Sequence, residues 1–186
     1  MAAYDLVLKG GHVVDPGQNL DAKMDVAFAA GKVAAIAKTI AVPAGVEARD
    51  VSGLIVTPGL IDMHTHVYWG GTSLGIDAED FCRKSAVTTA IDTGSAGPGN
   101  FAGFRKHVIE PSAVRILAYL HISHAGIFGF SSRIMVGESE ELRLMDPETA
   151  VEVATANCDM IVGIKVRLGR WASGIHGMVP FEYALQ

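Results

Sequence analysis

Two imidazoles and one amine carry the chemistry that this sequence offers. The imidazoles belong to PGLIDMHTHVYWGG, Pro58 to Gly71, where His64 and His66 stand two apart in an apolar run after a Pro-Gly turn. Side chains two apart on a strand point the same way, so Asp62, His64 and His66 are expected on one face. Two imidazoles projecting together can hold a cation such as Zn²⁺ through ring nitrogens at about 2.0–2.1 Å. The plainer account is two histidines at a strand end, hydrogen-bonded to neighbours, and the H-x-H pattern alone leaves both open. The amine is Lys165, which interrupts MIVGIKVRL, a strand that otherwise reads as core. Lysine is almost never fully buried without a partner. Either Lys165 ends its strand exposed and paired with an acid, or desolvation holds the amine neutral. A neutral amine can add carbon dioxide, and the resulting carbamate offers two anionic oxygens that two metals can share.

The elements that must position these groups alternate from residue 59 onward. LIDMHTHV reads as a strand and DAEDFCRKS as a helix with acidic residues in its first turn, as the helix dipole favours. VTTAIDTG is a second strand, and Asn100 is placed to cap a helix over FAGFRKHVIE. VRILAYLHIS is a third strand; Asp146-Pro147-Glu148 starts the helix ETAVEVATAN, a capping residue followed by Pro at the first helical position. MIVGIKVRL is the fourth strand. This order predicts parallel strands with covering helices, and continuous apolar strands such as MIVGI fit burial on both faces. No G-x-G-x-x-G follows any strand, and GSAGPGN lacks the Lys-Ser/Thr ending of a phosphate loop, so the latter reads as an ordinary loop.

Before residue 58 the texture differs. YDLVLKGG and HVVD read as two strands, DPGQN as a turn, and MDVAFAAGKVAAIA as a hairpin joined at Ala30-Gly31-Lys32. The formal net charge is −5, which argues against a nucleic-acid surface. No run of about 18 apolar residues predicts a membrane span, and MAAYDLVLKG lacks the regions of a signal peptide. Cys82 and Cys158 show no C-x-x-C spacing and are expected as buried, reduced thiols of a cytoplasmic protein.

Other candidates are weaker. His121 and His124 lie three apart near the end of the third strand, so they face opposite sides if extended; His124 is the one placed to line the mouth of a site, against the plainer account of a polar loop histidine. Arg167 shares parity with Lys165 and has either an anionic substrate group or a salt bridge to make. His176 lies in the loop after the fourth strand, where substrate contacts are common. Trp69 and Trp171 stand on loops at the same end, as pocket walls or as rim packing.

These stretches together carry a resemblance. PGLIDMHTH resembles the P-G-x-x-D-x-H-x-H signature of the amidohydrolase superfamily, metal-dependent hydrolases built on a (β/α)₈ barrel of the TIM type. HVYWGGTSLGID, VTTAIDTGSAGPGNFAGFRKHVIEPSAVRILAYLHIS and VGIKVRL look like its amidohydrolase/deacetylase branch, often labelled dihydroorotase-like. The resemblance runs nearly end to end. It implies residues 1–57 as part of a small β-sandwich domain, and residues 58–186 as the front half of the barrel, about four βα units. A full barrel takes about 250 residues, and only 128 follow Pro58. It implies His64 and His66 as ligands of the more buried of two divalent metals, Zn²⁺ by preference, and Lys165 as the bridging carbamate. Asp62 takes a supporting role. The remaining ligands, two histidines after strands five and six and an aspartate after strand eight, have no counterpart here, so the 186-residue piece alone is expected to be inactive.

The implied reaction is hydrolysis of an amide or ester of a small molecule, an N-acyl or O-acetyl group, by metal-activated hydroxide. Hydantoinase- or dihydroorotase-type opening of a cyclic amide is the alternative. Dihydroorotases resemble H-x-H-x-R, and Tyr68 stands where that arginine would hold a substrate carboxylate. Ala86 stands where a glycine is common before V-T-T. A homo-oligomer is expected from the same resemblance.

Overall fold

The computed structural model describes residues 4–186, so that Met1 to Ala3 of the MAAYDLVLKG stretch lie outside the described residues. The chain divides into two compact units, Met1–Pro58 and Gly59–Gln186.

The first unit is one five-stranded sheet. β1 (Leu6–Asp15) pairs antiparallel with β2 (Leu20–Ala29), which pairs antiparallel with β3 (Lys32–Ala37). On the other edge β1 pairs in parallel with β4 (Glu47–Asp50) and then with β5 (Ile55–Val56). The two strands expected at YDLVLKGG and HVVD are one. Gly10 takes φ +72°, and the register slips there, a glycine bulge that bends the strand without ending it. The hairpin turns on Ala30 and Gly31, both at positive φ (50° and 73°), the two-residue geometry that matches strand twist. DPGQN forms a short 3₁₀ turn in which the Asp15 side chain accepts from Gly17 N–H. Val7, Ala27 and Ile40 are buried under this sheet.

The second unit is a sheet of four parallel strands in sequential order: β6 (Leu60–Thr65), β7 (Val87–Thr93), β8 (Arg115–His121) and β9 (Ile161–Lys165). That is the arrangement of an arc of a (β/α) barrel. α1 (Ala78–Ser85) follows β6, capped by Asp77, whose side chain accepts from Asp80 N–H. Its C-terminal cap is Ala86 at φ +56°, a left-handed position that costs a residue with a Cβ about 1 kcal/mol and explains why glycine suits that site. α2 (Phe101–Phe104) continues as a π turn through Arg105–Ile109. Asn100 does not cap it as expected. Its Oδ1 accepts from Gly97 N–H and its amide donates to Ala125 O, tying two loops together instead. α3 (Pro147–Ala156) starts where Asp146-Pro147 predicts, with Asp146 accepting from Thr149 N–H. A fourth helix, α4 (Val179–Leu185), follows β9.

Ile116, Ala118 and Leu120 of β8 alternate into a core with Phe101, Phe104, Ala150 and Ile161. Leu117, Tyr119 and His121 therefore share the opposite face of the sheet. β6 and β9 are the outer strands of this sheet, and Leu60, Ile61, Met63, Val162 and Ile164 are exposed. Burial of MIVGI on both faces is thus not met among the described residues. Cys82 is buried, but Cys158 is exposed, contrary to expectation.

Candidate metal centre

The site forms where the strands of the second unit end. β6 and β7 keep register at Asp62↔Ala90 and again at Thr65↔Asp92, so three steps of β6 match two of β7. The extra residue breaks the period-two alternation. Asp62 and the histidines therefore do not share one face. Asp62 uses its carboxylate to accept from His64 N–H at 2.9 Å, and burial followed by its charge pushes the Cys82 thiol of α1 up. His64 is exposed and His66 half-buried, their ring centres 5.7 Å apart at 75°.

His66 is held from β7. Its Nδ1 lies 3.0 Å from Ser95 Oγ, and its Nε2 lies 3.5 Å from Thr93 Oγ1. Ser95 is itself fixed by Asp92, which is fully buried and accepts from Ser95 N–H (2.7 Å) and Val67 N–H (2.8 Å). One carboxylate thus locks the loops after both strands. Burial above all, then the charges of His64, Lys165 and Arg167, push the His66 imidazole down to about 4. It is neutral at neutral pH, the form that binds metal.

Lys165 reaches the same place from β9. His121 and Lys165 are register partners, and both crowd Gly94, the residue after β7. Gly94 sits at φ +88°, and a Cβ there would stand 2.6 Å from Lys165 Cγ, 2.8 Å from Lys165 Cβ and 3.2 Å from His121 Cδ2. Only glycine admits that meeting of three strand ends.

Sequence reasoning passed over the group that backs Lys165. His121 is fully buried, and its Nδ1 accepts from Ser123 N–H at 2.9 Å, so the neutral ring carries its proton on Nε2. Burial first, then Lys165, Arg167 and His66, push it down to about 3. Facing Nε2 at 3.9 Å is Oε1 of Glu138, which also stands 2.7 Å from Arg167 Nε. None of these three atoms completes a well-directed hydrogen bond. Burial pushes the Glu138 carboxyl up; its own backbone N–H and the charges of Arg167 and Lys165 pull the other way. Glu138 comes from the long loop between β8 and α3. Ser139 N–H donates to Ala172 O at 2.9 Å, which seats the segment against the loop after β9.

The remaining candidates divide. Arg167 makes the salt bridge rather than standing free, and its guanidinium lies 4.8 Å over the Phe130 ring. Tyr68 turns away from the site: it stacks on Phe104 at 4.6 Å and packs against the helix-side core. His124 is exposed and lies over Gly99 rather than beside Lys165, so the buried member of the pair is His121. His176 is half-buried, and its charge acts on Glu141, away from the cluster. Trp69 and Trp171 are exposed.

Among the described residues no three His, Cys, Asp or Glu side chains cluster as a metal cage by themselves; the groups at the strand ends are two imidazoles and a lysine. It fits a cation. Ring nitrogens at about 2.0–2.1 Å place each ring centre about 3.2 Å from an ion, so two rings on one ion stand about 5–6.4 Å apart, and the observed separation is 5.7 Å. Among the described residues no carboxylate pairs with Lys165, and Glu138 pairs with Arg167.

No family model matches the chain. A deacetylase of Brucella anthropi is 38% identical over 152 residues, which are 82% of this chain and 37% of that protein. A crystal structure of a dihydroorotase superposes with a TM-score of 0.86 at 30% identity, over 96% of this chain and 46% of the other. A crystal structure of an adenine deaminase does so with a TM-score of 0.82 at 30% identity, over 98% and 46%. The chain spans less than half the length of these relatives.

Proposed function

Since this chain belongs to the amidohydrolase superfamily, we propose that it supplies part of the metal centre of a hydrolase that cleaves an amide or ester, of the deacetylase kind, in a small molecule. His64 and His66 are the imidazole ligands, and Lys165, as a carbamate, is the bridging one. The observation that carries this reading is the meeting of a neutral His66 and an acid-free Lys165 at one end of a parallel sheet. Two bound divalent cations, Zn²⁺ by preference, would supply Lewis acidity and a hydrolytic water of lowered pKa.

The chain's own residues do the rest. Ser95 and Thr93 orient His66, and Asp92 holds Ser95 in place. Gly94 clears the path of the lysine stem. His121, fully buried, stands beside the lysine stem at Gly94.

A second reading keeps the centre and changes the substrate to a cyclic amide; the likeness to a dihydroorotase structure supports it. Tyr68 counts against it, being committed to Phe104 where an arginine would hold a carboxylate. Metal analysis of the full-length protein carrying this chain is the test. His64→Ala and Lys165→Ala are expected to lose at least half of the bound metal each, and unchanged content in both would remove the assignment. Turnover of acetylated small molecules, with cyclic ureides untouched, separates the two substrates.

A further inference from the structure

Arg167 is more elaborately held than a lone surface ion pair needs to be. It lies two residues beyond Lys165, just past the C-terminal end of β9. Its Nε stands against Glu138, whose side chain is 1% exposed, and its flat face lies over Phe130. Both partners come from the same long loop, and both halves of it are anchored. Ser73 Oγ contacts Phe128 O and Phe130 O and accepts from Phe130 N–H at 3.1 Å, while Ser139 is tied to Ala172. Among the described residues, the two terminal nitrogens of Arg167 make no hydrogen bond, and its side chain is 29% exposed. One edge and one face of the fork are thus fixed, and the other edge is left open. Lys165, His66 and His121 are the neighbouring groups, and Glu138 is the carboxylate that faces it. A rigid guanidinium with free paired donors is built for a planar anion.

We propose that Arg167, braced by Glu138 and Phe130, is a specificity-determining residue that receives a carboxylate of the substrate on its terminal nitrogens. This rests on the reading of the neighbouring cluster as the hydrolytic centre, which it deepens by naming a substrate feature and the residue that selects it. Glu138 and Phe130 are positioning residues, acting through Arg167.

The test is equilibrium binding by calorimetry to the full-length protein, using short aliphatic, aromatic and N-acetylated carboxylic acids, each against its own carboxamide. In the unmodified protein at least one acid is expected to bind about tenfold or more tighter than its amide. Arg167→Met should level that ratio, and Phe130→Ala should reduce it a few-fold without touching the charge. Arg167→Lys keeps the charge and loses the fork, so the ratio should fall about tenfold. If Arg167→Met does not fold, Arg167→Lys carries the test. An unmodified protein that prefers no acid, or a ratio undiminished in the Arg167 variants, overturns the inference. Metal content read on the same samples keeps the two readings apart. Metal bound without acid preference sinks this inference alone; acid preference without His64- and Lys165-dependent metal sinks the hydrolytic reading alone.

Discussion

Each unit of the chain buries a carboxylate beside a cation, and the two are treated differently. In the first unit Asp25 is 3% exposed and pairs with Lys9, and it also accepts from Gly10 N–H and Ile40 N–H at 2.8 Å each. Its acceptor capacity is used, and the strands and the loop before β4 are stitched by it. In the second unit Glu138 faces Arg167 and His121, yet Oε1, Arg167 Nε and His121 Nε2 are all without a well-directed hydrogen bond. A satisfied buried carboxylate stabilises; an unsatisfied one costs stability and persists where something other than stability requires it. The contrast teaches that burial of charge in this chain marks architecture in one place and a candidate site in the other.

The sharpest way to break this comparison is to neutralise both carboxylates. Asp25→Asn should cost about 2–4 kcal/mol, because an amide leaves Lys9 and buried N–H groups poorly paired. Glu138→Gln should cost less than about 1 kcal/mol. Urea denaturation measures both, and equal costs would erase the distinction.

Next in size is Gly94→Ala, which forces a left-handed φ on a residue with a Cβ and drives it into the Lys165 stem. A loss of about 1–3 kcal/mol is expected, with a fall in metal content greater than that of Ala86→Gly, a change at another left-handed position that adds no atoms. Equal metal content in the two would show that Lys165 does not need the space.

Acid titration sharpens the comparison through opposite signs. For Asp25, burial raises the carboxyl, but Lys9 and the N–H groups of Ile40 and Gly10 outweigh it and hold it below 3.8. Its contribution is therefore complete above 3.8 and lost as pH falls through the lower folded value. For Glu138 burial prevails, and the carboxyl is held above 4.5. The folded state binds that proton more tightly, so the protein gains stability as pH falls from above the folded value toward 4.5. The urea midpoint should rise and then fall on acidification, with the rise absent in Glu138→Gln and the final fall blunted in Asp25→Asn. The smallest effect belongs to Tyr68→Phe, whose hydroxyl is 3.5 Å from Asn100 O. Stability within about 0.5 kcal/mol and unchanged metal content are expected, and a loss of metal would return Tyr68 to the site.

Much of this molecule was legible in its residues. Asp77, Asp146 and the Pro at the first turn of α3 are local signals, and the helices begin where they predict. The order of parallel strands followed from alternation, since each apolar run is a separate stretch of chain. His64, His66 and Lys165 announced themselves by being polar within apolar runs. Asp62 was misplaced because the register slip between Asp62 and Thr65 inverts the alternation there, and a bulge with no glycine leaves no mark in the sequence. His121 was passed over in favour of His124 because the end of β8 decides which of the two points inward. Glu138 could not be found at all, since its partners lie 17 residues before it and 29 after it in a loop without periodicity.

The sequence by itself determined the elements, their order and the residue types able to bind a cation, because helix caps, strand alternation and turn residues act within a few positions. Only the tertiary structure decided which ring of each histidine pair is the more buried, and which acid is buried against Arg167 and His121. Those depend on the register between strands and on how a long loop docks, contacts made between residues far apart in the chain.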